Sequence, residues 1–268
     1  GGGRAAGIGG SSGSSNITIN LARSLIKKAL GGTEDGANGL MGGAGIGSAG
    51  DMSWWSGTTI NINNTDIDEA TGGAGAAGIG GGFHGTADIT ITGGKITARA
   101  GDKAMDSQEV PYAIGNGSMF KDDYFKGDGA SKVTINGNDG DTIVNAIASD
   151  LEHAISQLNK ITVDSLGEAH KVLVNMRDTS GTILKAIHNR AYVGYPADAE
   201  EAEAHAWDDG VIIKDATPDE DGEILYTCTV EGCGATKIKT FKYVAPTPDP
   251  DPDTPDPTPV TPVKPDSK

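Results

Sequence analysis

Two cysteines in 268 residues, Cys228 and Cys233, are too few for a disulfide framework, and aromatic residues at 5% are too scarce for a large conventional core. Basic residues are also in short supply, 21 Lys and Arg against 37 Asp and Glu, for a formal net charge of −16. That balance argues against nucleic acid or an anionic membrane surface as partner, because either repels such a chain. No run approaches eighteen apolar residues, and no basic segment precedes an apolar one near residue 1, so neither membrane insertion nor a signal peptide is expected. The chain opens inside a repeat, at Gly1-Gly2-Gly3-Arg4, which leads us to expect one part of a longer multidomain polypeptide.

Glycine is abundant instead. Of 41 glycines, 34 precede residue 145. They show no three-residue period, which excludes collagen, and they alternate with recurring Ile/Val segments, which argues against simple disorder. The tetrapeptide Ala-Gly-Ile-Gly occurs at residues 6–9, 44–47 and 77–80, and in reduced form as Ala-Ile-Gly at 113–115. Each copy is followed by an alternating segment: Ile17-Thr18-Ile19, Ile60-Asn61-Ile62, Ile89-Thr90-Ile91 and Val133-Thr134-Ile135. Units that keep two apolar segments while their loops vary in length predict a parallel β-solenoid over 1–145, because each rung buries its aliphatic side chains only against the next. Ile8, Ile46, Ile79 and Ile114 are expected inward, with Thr and Asn forming an outer polar ladder.

Two inserts interrupt the rhythm. Leu21 to Leu30 reads either as a short helix or as an extra strand; Asp102 to Lys132, the longest and most charged insert, reads as part of a capping rung. From 146 to 197 a small mixed α/β linking module is expected. The spacing of Ile143, Ile147, Leu151, Ala154, Ile155 and Leu158 predicts an amphipathic helix over Thr142 to Leu158. Residues 205–244 read as a short Cys-containing β module. Residues 245–268, with nine prolines between Pro246 and Pro265, read as a disordered, extended spacer. The fold class expected is therefore all-β dominated.

The repeat segments Ala76-Ala77-Gly78-Ile79-Gly80-Gly81-Gly82, Asp88-Ile89-Thr90-Ile91-Thr92-Gly93-Gly94 and Lys95-Ile96-Thr97-Ala98 resemble the glycine-rich repeats of large secreted and cell-surface proteins of Gram-positive, mainly gut and clostridial, bacteria. The resemblance implies a β-helix-like architecture and an extracellular or cell-wall location. His205, Trp207, Gly210, Ala216, Thr217, Tyr226, Thr227, Cys228, Cys233, Gly234, Thr236 and Lys237 are similar to a small module near the ends of such proteins, of form H-x-W-x-x-G, A-T-C, Y-T-C-x-x-C-G-x-T-K. Pro218 stands where that pattern has its first cysteine, and four residues instead of two separate Cys228 from Cys233. Both departures weigh against a four-ligand zinc site. We therefore expect a Cys228–Cys233 disulfide, with two free thiols or a metal site as the alternatives. The Pro/Asp/Thr spacer is similar to wall-spanning tails, though it carries no sorting motif.

The candidate glycan-binding residues are Trp54 and Trp55, whose rings can stack on a sugar face from a glycine-flanked loop, with Asp51, Asn61 and Asn63 as hydrogen-bonding groups. The same tryptophans serve equally as covers for the aliphatic ladder. No cofactor is expected; calcium is the one ion with hard ligands in the loops, at Asn63, Asp66 and Asp68 or at Asp122, Asp123 and Asp128, neither set complete. Polysaccharide lyase or hydrolase chemistry needs converging acids and bases, and Asp66, Asp68, Asp88, Lys95 and Arg99 are the local candidates. No catalytic residue is assigned. An adhesive scaffold for glycan or host matrix is the leading expectation, ahead of a purely structural stalk and then an enzyme.

Overall fold

The computed structural model describes residues 3–11, 14, 16–34, 41–50, 57–104, 107, 110–118, 131–137, 140–156, 158–162, 172–188, 192–193, 207–229 and 234–244. These residues form an all-β structure in which most strands run parallel, and no helix occurs among them. The expectation of all-β dominance holds. The helix expected over Thr142 to Leu158 is corrected, because strands occupy Thr142–Ile147 and Leu158–Thr162. Asp51 to Ser56, Asp122, Asp123, Asp128, Cys233 and the spacer 245–268 lie outside the described residues.

Contact clustering divides the chain into two units, Gly1–Asp208 with Thr227–Thr236, and Asp209–Tyr226 with Lys237–Lys268. Three sheets organise the first. One joins β1 (Ile8–Gly9), β7 (Ile46–Gly47), β10 (Ile79–Gly80) and β13 (Ile114–Gly115). Here Ile8, Ile46, Ile79 and Ile114 stand in register on parallel neighbours. The last three have no solvent exposure. The equivalence of the four copies extends to their backbone turns. Ala6 donates to Gly10, Ala44 to Ser48, Ala77 to Gly81 and Tyr112 to Asn116.

The second sheet joins β2 (Ile17–Ala22), β8 (Gly57–Asn63), β11 (Thr86–Thr92), β14 (Lys132–Asn136) and β16 (Leu158–Thr162), closed by β19 (Tyr192–Val193) running antiparallel. Strict alternation sends Ile60 and Ile62 inward, then Ile89 and Ile91, then Val133 and Ile135, all at 1% exposure or less. The third sheet joins β3 (Leu25–Ile26) and β4 (Ala29–Leu30) to β9 (Asp66–Thr71), then β12 (Gly94–Arg99), β15 (Thr142–Ile147), β17 (Val172–Arg177) and the antiparallel β18 (Ile183–His188). Of the two readings of Leu21 to Leu30, the strands hold.

The chain thus passes through all three sheets once per repeat, and the sheets share one aliphatic core. The passage does not stop at residue 145. Ile155 bridges Ile114 in parallel, and β16 and β17 continue the other two sheets, making a fifth pass. Its Ala154-Ile155-Ser156 is a further degenerate copy of the tetrapeptide, hidden within the helix-like spacing. Corners between the second and third sheets fall on left-handed residues: Arg23 (φ 48°), Asn64 (φ 43°) and Gly93 (φ 77°). Asn and Gly tolerate that region, so two of the three corners carry suitable residues. Hydroxyls serve donors there too: Gly93 N donates to Thr142 Oγ1 at 2.8 Å and Ala87 N to Ser131 Oγ at 2.9 Å.

A short antiparallel pair, β5 (Thr33–Glu34) with β6 (Met41–Gly42), completes the first unit's strands. The second unit contains a three-stranded sheet in the order β20 (Val211–Lys214), β21 (Gly222–Thr227), β22 (Thr236–Phe241). Its turns are tied by Lys214–Glu220 at 2.9 Å and Lys242–Asp221 at 2.8 Å. Val211, Ile212, Ile213 and Ile238 are each about half exposed or more.

Candidate functional site

Alternation on the second sheet dictates a polar outer face opposite the aliphatic ladder. Thr59, Asn61 and Asn63 of β8 lie between Thr18, Asn20 and Ala22 of β2 and Asp88, Thr90 and Thr92 of β11; Lys132, Thr134 and Asn136 of β14 follow in register. Asn20, Thr59 and Asp88 are exposed and Asn61 and Asn63 half-buried. The amide of Asn61 donates through Nδ2 to Asn20 Oδ1 at 2.9 Å. This is a broad surface of amides and hydroxyls, with one carboxylate and one ammonium, Asp88 and Lys132, facing each other across strands. Such a face can exchange hydrogen bonds with sugar hydroxyls without burying a charge.

Of the five candidate glycan residues, Asn61 and Asn63 therefore share one face of one strand. Trp54, Trp55 and Asp51 belong to the segment that leads into β8 and lie outside the described residues. Sequence reasoning singled out the asparagines but missed the threonines aligned with them, although the recurrence of Thr at the middle of Ile-Thr-Ile segments was the available signal.

The acids considered for calcium are engaged otherwise. Asp68 pairs with Lys27 at 2.7 Å, and Asp66 Oδ1 accepts the backbone N–H of Lys95 at 2.8 Å. Both lie on β9, whereas Asn63 lies on β8 of a different sheet. Glu69 accepts from the Thr71 hydroxyl at 2.9 Å and pairs with Lys28 at 3.3 Å. The Thr71 hydrogen bond, outweighing partial burial and reinforced by Lys28, holds the Glu69 carboxyl below its ordinary range. These exposed pairs join the first repeat to the second and each contributes at most about 1 kcal/mol. Among the described residues no group of three or more His, Cys, Asp and Glu is placed to hold a metal ion. Of the residues considered for lyase chemistry, Asp88 sits on the second sheet and Asp66, Asp68, Lys95 and Arg99 on the third.

The Cys-bearing segment has a different setting. At the outer face of the third sheet, Lys95 of β12 is followed in register by Ile143 of β15 and Leu173 of β17, so a polar column turns apolar. Cys228 and Ala235 pack there with Leu173, flanked by Ile143, Ile183, Ala186 and Trp207. Cys228 is 6% exposed, and its N–H donates to the Ala235 carbonyl at 2.8 Å. The aliphatics that broke the alternation of the fourth and fifth passes are thus the floor of this contact. Cys233, the expected partner in the disulfide, lies outside the described residues. Under non-reducing conditions the intact mass is expected about 2 Da below that of the dithiol. A full dithiol mass, or stoichiometric zinc lost on Cys228→Ser, would refute the disulfide.

Comparison with known proteins finds no family model, no curated protein and no solved structure that matches this chain.

Proposed function

We propose that the chain is a β-solenoid scaffold of a cell-surface or secreted protein, acting in adhesion by binding glycans at its second rung. The observation that carries this reading is the outer face of the second sheet, where Asn61 and Asn63 stand in a row of aligned amides and hydroxyls directly after the Trp54-Trp55 segment. Polar, uncharged hydrogen-bonding groups beside aromatic residues suit sugar rings, which combine an apolar face with a rim of hydroxyls. An extracellular or cell-wall setting and membership of a longer multidomain chain belong to the same proposal, resting on the repeat resemblance. The solenoid reading is supported by the sheet order, since each repeat contributes one strand to each of three sheets.

A structural stalk is the second reading, favoured by the Asn20–Asn61 hydrogen bond, which uses part of the polar face to join neighbouring strands. A glycan-array screen of the full chain separates the two. Binding that falls at least about tenfold in the Trp54→Ala/Trp55→Ala double variant supports adhesion. Absence of binding, or binding indifferent to both tryptophans, favours the stalk; release of new reducing ends from a polysaccharide would instead indicate an enzyme.

A further inference from the structure

All three sheets of the first unit end on the same repeat. β1, β2 and β3 are each the terminal strand of their sheet, and among the described residues nothing pairs with their outer edges. The contrast with the opposite end is physical, because there the parallel order is closed by the reversed strands β18 and β19. At the open end the inward side chains Ile8, Ile17, Leu21 and Ile26 are only partly buried, and Leu25 and Leu30 of the same repeat are 58% and 42% exposed. One repeat further in, the register partners Ile46, Ile62 and Ile67 are at 1% or less. A single added layer would supply the missing contacts.

We propose that this end is an interaction surface whose occupant is a further rung of the same repeat, entering in parallel with its Ala-Gly-Ile-Gly strand on β1 and its Ile-x-Ile strand on β2. This rests on the solenoid reading. Continuity with the existing rung-to-rung interface argues for it: every such junction is parallel, in register and aliphatic inside, so the same side chains complete the same columns. The edge lysines do not oppose it, since Lys27 and Lys28 are already paired with Asp68 and Glu69 of the second rung. A second copy meeting this end head to head fits less well. Its edges would run antiparallel, and one twofold axis that matched the second sheet to its copy would set the two-residue β1 against the differently spaced β3 and β4.

The test adds the rung. A duplicate of residues 76–104 placed before Gly1 sets its Ile-to-Ile spacing at 33, equal to that between Ile46 and Ile79. Amide exchange over Ile17–Ala22 is expected to slow by about tenfold or more, with exchange in β11 unchanged. The same insert carrying I79D, I89D and I91D should give no protection. Unchanged exchange at Ile17–Ala22, equal protection by the Asp-bearing insert, or an unmodified chain that sediments as a dimer with these amides already protected would each overturn the proposal. Failure of the solenoid reading is separate: it would show as exchange in β8 and β11 of the unmodified chain as fast as in β2.

Discussion

Replacing Ile79 with Asp is expected to abolish cooperative unfolding of the first unit at ordinary temperature. Ile79 has no exposure and stands between Ile46 and Ile114 on neighbouring parallel strands. Losing its burial costs roughly 2 kcal/mol, and a carboxylate placed there without a partner adds several more, for a total of about 5 kcal/mol or more. Domains of this size are stable by only about 5–15 kcal/mol, so most of the folded population is lost. Ile79→Val, which keeps the apolar contact and removes one methyl, should cost about 1 kcal/mol. Thermal unfolding followed by far-ultraviolet circular dichroism reads both; an Asp variant that melts like the parent would refute the shared core.

Gly80→Ala should be nearly as damaging, although it adds only a methyl group. Gly80 has φ of 138°, a conformation that L side chains rarely adopt, and a Cβ built there would run into the carbonyl group of Gly115 on the next repeat. Gly47 repeats the arrangement against Gly80. The backbone strain of about 1–2 kcal/mol and the overpacking of about 1–3 kcal/mol sum to about 2–5 kcal/mol, because the obstructing atoms are backbone and cannot rotate away. Gly181 provides the control: its φ is 93°, but nothing lies within 4 Å of its Cβ position. Gly181→Ala should therefore show the strain alone. Equal denaturation midpoints for the Gly80 and Gly181 variants would mean that close approach between repeats is not what selects glycine here.

Much of the first unit was legible because its signals are local and repeated. The Ala-Gly-Ile-Gly copies predicted that Ile8, Ile46, Ile79 and Ile114 share one environment, and they stand in register. The Ile-x-Ile segments predicted which side chains point inward, since a strand's period of two is written in a few adjacent residues. The same alternation placed Asn61 and Asn63 on the outer face, but no pattern in the chain announces that Asn20, Thr90 and Thr134 line up beside them. That alignment depends on how many residues each variable loop consumes.

Residues 142–158 show where sequence stops deciding. Spacings of three and four among Ile143, Ile147, Leu151, Ala154, Ile155 and Leu158 satisfy a helical stripe. The segment forms a strand instead because β12 offers a parallel ladder on one side and β17 on the other. It also lacks a clean alternation for a tertiary reason: Val144 faces the common core, while Ile143 packs on the opposite face with Leu173 and the Cys228 segment. A strand covered on both faces carries apolar residues on both, and its period of two disappears. The sequence by itself determined the repeat, the inward isoleucines and the need for glycine at the turns, all of which are properties of neighbouring residues. Only the tertiary structure decided the fifth pass through the sheets and the burial of Cys228, because both depend on hydrogen bonds and contacts between segments far apart in the chain.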